Sequence, residues 1–200
     1  MNAYILRCKP HGFNREQDFL EGRISIGWPG VGNLDNKSRE EVSELLGQKY
    51  GDLSQISVSM VDLFVNMPVG SIVLTPSIKD KAQVHIFKTS SAYQYDKSAD
   101  NDERGNPHFI NVTHVKTVSR ANLPPAVIRS LSGARKTLSR ISQYFDLLDE
   151  YISSDFDAES VVTYAVSEGK TEAFNVLYEL LNSEDENVRL KAAIAILEHA

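Results

Sequence analysis

The sequence predicts an α+β domain in which about six short strands curl into a small β-barrel, with inserted helices and a short α-helical tail. Three observations support this fold class. Short apolar or alternating runs are separated by turn-rich segments, as is typical of short strands. Segments with apolar residues at helical spacing interrupt and follow those runs. Residues 141–200 are strongly acidic and carry helical patterns, which sets them apart from the rest of the chain.

Size and composition limit the class of protein. The chain has 200 residues, of which 42% are hydrophobic and 24% charged, so a disordered or fibrous protein is disfavoured. Its apolar runs are far shorter than the ~20 residues that cross a bilayer, and the first residues do not begin a signal peptide. We therefore expect a cytoplasmic protein without membrane contact. The single cysteine, Cys8, excludes an internal disulfide framework and a Cys-rich zinc site, and we expect it to be a buried strand residue.

The first part of the chain alternates strands with helices. Tyr4–Cys8 and Arg23–Trp28 predict the first two strands, because each short run is followed by proline and glycine. The segment Ser38–Glu41 has the S-x-x-E form of a capping box and predicts a helix over 38–49. Apolar residues over 56–67 predict a second helix, which ends before a proline.

Short extended segments and turns fill the middle of the chain. Ser71–Thr75, Ala82–Phe87 and Ala92–Tyr95 predict three strands of a meander. The charged run 96–107 predicts a loop, and the alternation over Phe109–Val115 predicts the sixth strand.

The remaining sequence is helical in pattern. From Leu123 to Leu148, apolar residues recur at helical spacing behind a Pro-Pro start. Residues 158–199 predict two or three amphipathic helices. We therefore divide the chain into a barrel domain, residues 1–150, and an acidic helical tail, residues 151–200.

The charge is divided in a similar way. Residues 1–140 carry 18 Lys and Arg against 14 Asp and Glu, whereas residues 141–200 carry 3 against 13. This asymmetry either marks two modules with different partners or reflects a solvated acidic helix.

The order of several short motifs resembles a known domain. These motifs are Ile26-Gly27-Trp28-Pro29, Gly32-Asn33-Leu34, Val69–Val73, Tyr93-Gln94-Tyr95, His108, Val112-Thr113-His114, Ser119–Leu123 and Leu131–Ile141. Over residues 3–142 the chain resembles the N-terminal PUA-like barrel of Mrr-type restriction proteins, a relative of the EVE and YTH readers of modified bases. The resemblance implies a PUA-like (EVE-like) fold, modified base recognition and a place in a restriction system or antiviral defence, with cleavage performed by a separate partner.

The tail carries a second resemblance. The segment Asp185–Ala193 is similar to part of a HEAT-like helical pair. One pair cannot build a solenoid, so it must pack on the barrel, on a second copy or on another protein.

A pocket that recognises a base needs flat aromatic walls and a few polar atoms, and a base in a duplex must be flipped out to reach it. The candidate residues are Trp28, Tyr93, Tyr95, His108, Asn111 and His114. Trp28 follows a glycine at a predicted strand end, where its ring could line a cleft or plug the barrel. Tyr93 and Tyr95 share one face of a strand, as pocket walls or as ordinary cross-strand packing. The polar candidates, His108, Asn111 and His114, either contact the base or have a structural role, because a lone histidine is more often structural.

A basic cluster supplies candidate phosphate contacts. It consists of Arg120, Arg129, Arg135, Lys136 and Arg140, with no acidic residue among them. On a helix, these side chains could contribute salt-sensitive, sequence-independent binding to nucleic acid. In the alternative, they pair with acidic residues of the C-terminal part, namely Asp146, Asp149, Glu150, Asp155 and Asp157.

Catalytic signatures are lacking in the sequence. It contains no Gly-rich phosphate loop, no H-E-x-x-H motif and no Cys/His ligand set, and we expect neither a cofactor nor a metal site. Asp80-Lys81 and Asp96-Lys97 are adjacent pairs without a further acidic partner at the strand spacing that suits a nuclease metal site.

Two functions follow from these patterns. The first is a non-catalytic nucleic-acid-binding module that recognises a modified or flipped base, in DNA rather than RNA, and whose helical tail docks a separate nuclease or other protein. The alternative is a protein-protein interaction or regulatory adaptor protein with no nucleic-acid ligand.

Overall fold

The computed structural model describes residues 1–134, 136–153, 177–178, 180–183 and 185–199. The chain divides into two compact units, Met1–Ser154 and Asp155–Ala200.

One mixed sheet organises the first unit. Its strands are β1 (Ala3–Leu6), β2 (Arg23–Ile26), β3 (Ile72–Pro76), β4 (Gln83–Tyr95), β5 (His108–Ser119) and β6 (Leu138–Arg140). They are hydrogen-bonded in the order β2-β5-β4-β3-β1-β6. The β1 and β3 strands are parallel, and the other neighbouring strands are antiparallel. The predicted α+β class is confirmed, with the sheet forming a half-barrel that has β2 and β6 at its edges.

Helices connect and cover the strands. They are α1 (Glu16–Leu20), α2 (Arg39–Tyr50), α3 (Gln55–Val65), α4 (Pro125–Gly133), α5 (Phe145–Ser153) and, in the second unit, α6 (Glu186–His199). Short 3-10 turns occur at Pro10–Gly12, Lys97–Ala99, Arg120–Asn122 and Ser142–Tyr144.

Hydrophobic side chains are buried on both faces of the sheet. On one face Tyr4, Phe87 and residues of α2 and α3 form the main core. Residues that alternate with these, such as Ile86, are also fully buried. On that second side, α5 lies against β4 and β5, because Lys88 Nζ is 2.7 Å from Asp149 Oδ1 and Lys116 Nζ donates to the Tyr151 carbonyl at 2.9 Å.

The capping box confirms the first predicted helix. The Ser38 hydroxyl accepts from the Glu41 N–H at 3.2 Å, and the Glu41 carboxylate accepts from the Ser38 N–H at 2.8 Å. These bonds satisfy two N–H groups that the first turn of a helix leaves without partners. The helix ends at Tyr50, because the following Gly51 adopts φ +74°.

Replacing Ser38 by alanine removes one half of this capping box. We expect the free energy of unfolding to fall by about 1 kcal/mol, because an N–H of the first turn loses its acceptor. Urea denaturation measures the change. Ser43→Ala, within the same helix, is the control and is expected to have little effect, since alanine is the better helix former. Equal losses in the two variants would contradict the capping role.

Two sequence predictions are wrong in detail. Ala82–Phe87 and Ala92–Tyr95 belong to one long strand, β4, because a bulge between Thr89 and Tyr93 keeps it paired with β5. The helix predicted from Leu123 to Leu148 is interrupted, since residues 138–140 form β6 and pair with β1. The short α1 was not predicted.

The tail is described only in part. The helical pattern at the end of the chain is confirmed by α6. The predicted helical segment over residues 158–176 lies outside the described residues, so the helical pair remains a prediction.

Candidate nucleic-acid interface

Three strands meet where the candidate site lies. Ile26, the last residue of β2, pairs with His108, the first residue of β5, and His108 pairs with Tyr95, the last residue of β4. Trp28 follows two residues after Ile26. The sheet therefore brings Trp28, Tyr93, Tyr95 and His108 to one end of the β4–β5 hairpin.

Trp28 has an unusual backbone conformation. Its φ of +75° lies in the left-handed region, which non-glycine residues seldom adopt. The backbone of His11 lies close to the preceding Gly27, because a Cβ at Gly27 would be 2.9 Å from the His11 backbone nitrogen. Strained residues of this kind persist where the surroundings hold them, and they concentrate at functional sites.

The indole of Trp28 is partly buried and lies against the main core. Its ring centroid is 5.2 Å from that of Tyr50, with the two planes nearly perpendicular at 88°. The Tyr50 hydroxyl donates to the Pro29 carbonyl at 2.6 Å, which ties the end of α2 to the Trp28 loop. The indole is thus supported on one side and is not sealed in the interior.

His108 fixes the Trp28 backbone through a hydrogen bond to its carbonyl group. The His108 ring is fully buried, and its Nε2 lies 3.3 Å from the Trp28 carbonyl oxygen. A carbonyl only accepts, so Nε2 carries the proton and Nδ1 accepts from the Tyr93 hydroxyl at 2.8 Å. The Tyr93 oxygen in turn accepts from the Leu34 N–H at 3.1 Å.

Burial determines the charge of this network. Desolvation lowers the pKa of His108 to about 4, outweighing the hydrogen bond to Trp28 and the charge of Asp100. Burial likewise raises the pKa of Tyr93 to about 12. Near neutral pH both groups are therefore uncharged. His108 donates its proton to the Trp28 carbonyl, and Tyr93 donates its proton to His108.

Tyr95 is fixed by the loop between β4 and β5. Its hydroxyl donates to Asp100 Oδ2 at 2.6 Å, and Asp100 Oδ1 accepts from the Gly30 N–H. Burial, followed by Asp100, raises the pKa of Tyr95 to about 12. The Tyr95 and His108 ring centroids are 5.9 Å apart. Asp100 therefore links the second tyrosine to the Trp28 loop.

The structure does not bring the other two base candidates to this cluster. Asn111 lies three positions after His108 along β5, so its side chain lies on the opposite face of the strand. His114 lies near the middle of β5, with its ring 5.4 Å from Phe87 and its Nε2 3.0 Å from Thr117 Oγ1.

The predicted phosphate residues do not share a helix. Arg120 lies in a 3-10 turn, Arg129 in α4, Lys136 in a bend and Arg140 in β6, while Arg135 lies outside the described residues. The Arg120 guanidinium donates to Ser132 Oγ at 3.0 Å, and Arg140 donates to Asn2 Oδ1 at 2.8 Å.

The acidic residues named as alternative partners are only partly described. Asp149 pairs with Lys88 at 2.7 Å rather than with the predicted basic cluster. Asp155 and Asp157 lie outside the described residues.

Sequence reasoning missed three groups at the site. Tyr50 and Asp100 contact the Trp28 loop through bonds between residues distant in sequence, which no local pattern signals. Lys49 lies over Gly30, since a Cβ at Gly30 would be 2.7 Å from Lys49 Cε. This lysine places a positive charge beside the Trp28 loop.

A family model described as a domain of unknown function (DUF8426) matches residues 10–142. The chain belongs to the DUF8426 family. The DUF8426 match includes Trp28, Tyr93, Tyr95 and His108, and it excludes α6. No curated protein matches the sequence.

Similar solved structures include three that share low sequence identity with this DUF8426 chain. Protein Atu2648 from Agrobacterium tumefaciens has 14% identity and a TM-score of 0.39, covering 74% of this chain and 90% of that one. Human THYN1, in complex with DNA containing 5-methylcytosine, has 10% identity and a TM-score of 0.38, covering 78% and 100%. The YTH domain of the Zygosaccharomyces rouxii MRB1 protein, in complex with N6-methyladenosine RNA, has 14% identity and a TM-score of 0.37, covering 78% and 90%.

The described residues of the DUF8426 chain lack two further features. No described helix is both long enough and apolar enough to cross a membrane. No group of three or more His, Cys, Asp or Glu side chains within the described ranges could hold a metal ion.

Proposed function

We propose that this protein is a non-catalytic nucleic-acid-binding module that recognises a modified or flipped base, in DNA rather than RNA. The observation that carries the proposal is the Trp28 indole, partly exposed at a strand end on a backbone that His108 holds. A ring that is already fixed loses little conformational entropy when a base stacks on it. Tyr93, Tyr95 and His108 form the rigid support behind it.

Positive charge near the site supports binding of a polyanion. Lys49 lies beside the Trp28 loop, and residues 1–140 carry a net positive charge. We propose that the predicted basic residues contribute phosphate contacts, which add affinity without sequence preference. They are Arg120, Arg129, Arg135, Lys136 and Arg140.

We further propose a role in restriction or antiviral defence, with cleavage performed by a separate nuclease. The resemblance over residues 3–142 to the N-terminal domain of Mrr-type restriction proteins supports this context. Docking of a partner on the tail is supported by α6, where Leu190, Ile194 and Leu197 are exposed at a spacing that places them on one helix face. The same stripe supports the alternative function, an adaptor that binds only protein.

Titration of the intrinsic fluorescence tests base recognition directly, because Trp28 is the only tryptophan. The probes are oligonucleotides with 5-methylcytosine in DNA or N6-methyladenosine in RNA, which are the modified bases in the THYN1 and YTH complexes. Each probe is compared with the same oligonucleotide without the modification. We expect stronger quenching by a modified DNA probe than by its counterpart, and an affinity that falls steeply with salt. His114→Ala is the control and is expected to leave both effects unchanged. An absence of binding at low salt would favour the adaptor.

A further inference from the structure

A second candidate site lies at the other end of the sheet. A cleft of about 360 Å³ opens where β1 and β3 end and where α4 ends. Its lining includes four basic residues, Arg7, Lys9, Lys81 and Arg120, together with apolar side chains such as Ile78 and Leu131. Small-molecule sites begin at about 300 Å³, so a mononucleotide-sized ligand fits this volume.

The basic side chains of the cleft are not paired with carboxylates in the part of the chain that the structure describes. None of the four basic residues forms an ion pair with any other described residue. Arg7 donates to the Ala134 carbonyl at 2.6 Å, and Arg120 donates to Ser132 Oγ, so neutral groups hold both guanidinium groups. Each arginine keeps further N–H donors, because a guanidinium carries five.

A buried carboxylate fixes one wall of the cleft. Glu16 is 2% exposed, and its oxygens accept from the Ser77 hydroxyl and from the backbone N–H groups of Ile78 and Lys79, both at 3.2 Å. The ring of His85 adds a bond at 2.9 Å. Burial alone would raise the pKa of Glu16, but hydrogen bonds from His85, Ser77 and the two backbone groups outweigh it and lower the pKa. The wall is therefore formed before any ligand binds.

The cleft is separate from the Trp28 site. Lys81 precedes the first residue of β4, whereas Tyr95 is the last residue of the same strand. Between the two ends, α5 lies on β4 and β5 through its contacts with Lys88 and Lys116. A ligand in the cleft therefore makes its contacts without Trp28.

We propose that this cleft binds the phosphomonoester of a nucleotide, either a free mononucleotide or the terminal phosphate of a strand. A monoester carries a charge of about −1.5 to −2 near neutral pH, which matches four basic residues without a described ion-pair partner better than the single charge of an internal diester. Arginine binds phosphate oxygens with paired N–H groups, and lysine acts as a point charge. The apolar wall at Ile78 and Leu131 would contact the rest of the nucleotide.

Calorimetric titration of the full chain tests this proposal, with 5′-AMP as the probe and adenosine as the ligand that lacks phosphate. We expect 5′-AMP to bind and adenosine not to bind. Lys9→Gln and Lys81→Gln are each expected to weaken 5′-AMP binding on the order of tenfold, because each removes one charged donor. Both lysines are exposed, so thermal unfolding of the variants should match that of the wild type. The matched control, Lys37→Gln, lies outside the cleft and should leave the affinity unchanged.

Two further experiments identify the source of the phosphate and separate the cleft from the Trp28 site. Stronger binding of a 5′-phosphorylated oligonucleotide than of the same oligonucleotide without the phosphate would identify a strand end, whereas equal binding of the two would identify a free nucleotide. Trp28→Ala should leave 5′-AMP binding intact, so failure of base recognition and failure of the cleft proposal are distinguishable. The proposal is overturned if adenosine binds as well as 5′-AMP, if 5′-AMP does not bind, or if the Lys9 and Lys81 variants bind like the wild type.

Discussion

Replacing His108 by leucine is expected to lower the free energy of unfolding by about 3 kcal/mol near neutral pH, because two polar groups that contact its buried ring lose their partner. The Trp28 carbonyl loses its donor, and the Tyr93 hydroxyl loses its acceptor. His108→Gln is the matched variant, since its amide can both donate to the carbonyl and accept from the hydroxyl. Urea denaturation should show that glutamine retains more than half of the stability that leucine loses.

The same histidine predicts a pH dependence. Folding lowers the pKa of His108 from 6.5 to about 4, so the unfolded chain binds a proton that the folded chain rejects. The stabilisation is fully present above the unfolded pKa and is lost as the pH falls towards the folded pKa. Between about pH 7.5 and about pH 5 this loss amounts to about 2 kcal/mol.

Variants separate this effect from other titrations. His108→Gln should remove most of the slope between those two pH values. The pKa of His114 is also lowered, by burial and by His85, so His114→Ala serves as the control and should keep the His108 contribution. Glu16, whose folded pKa is lowered, loses its stabilisation only at lower pH, as it becomes protonated. An unchanged slope in His108→Gln would contradict the buried, neutral histidine.

Local patterns predicted the parts of the fold that local interactions determine. The capping box at Ser38 and the alternation along β5 need only neighbouring residues, and both are present. The strand β6 has three residues and forms through pairing with β1, more than 130 residues earlier in the chain. Nothing in its own residues distinguishes it from a helix, so the helical pattern around it led to the wrong prediction.

In the candidate site too, features set by neighbouring residues were predicted and features set by distant residues were not. Tyr93 and Tyr95 were expected to share a face because strand residues alternate, and the structure directs both towards His108. Asp100 and Tyr50 reach the Trp28 loop only through the folding of distant segments, so the sequence gives no sign of them. The base-pocket residues were grouped by chemistry alone, which is why Asn111 and His114 were included although β5 carries them away from Trp28.

Trp28→Ala is expected to remove the preference for a modified base and to weaken oligonucleotide binding about 5- to 150-fold, as loss of one stacked base contributes about 1–3 kcal/mol. The salt dependence should persist, because the phosphate contacts that we propose are made by other residues. Anisotropy of a labelled oligonucleotide measures the binding, since the variant lacks tryptophan. Trp28→Phe keeps a flat ring and should keep part of the preference.

Stability and binding can be separated at this one position. At φ +75° alanine keeps the backbone strain of tryptophan, whereas glycine relieves it. Trp28→Gly should therefore be more stable than Trp28→Ala by about 1 kcal/mol, while both lose base recognition equally. If the glycine variant were both more stable than the alanine variant and able to recognise the base, the indole would affect binding only by stabilising the fold. If both variants kept the preference for a modified base, Trp28 would not be the surface on which the base stacks.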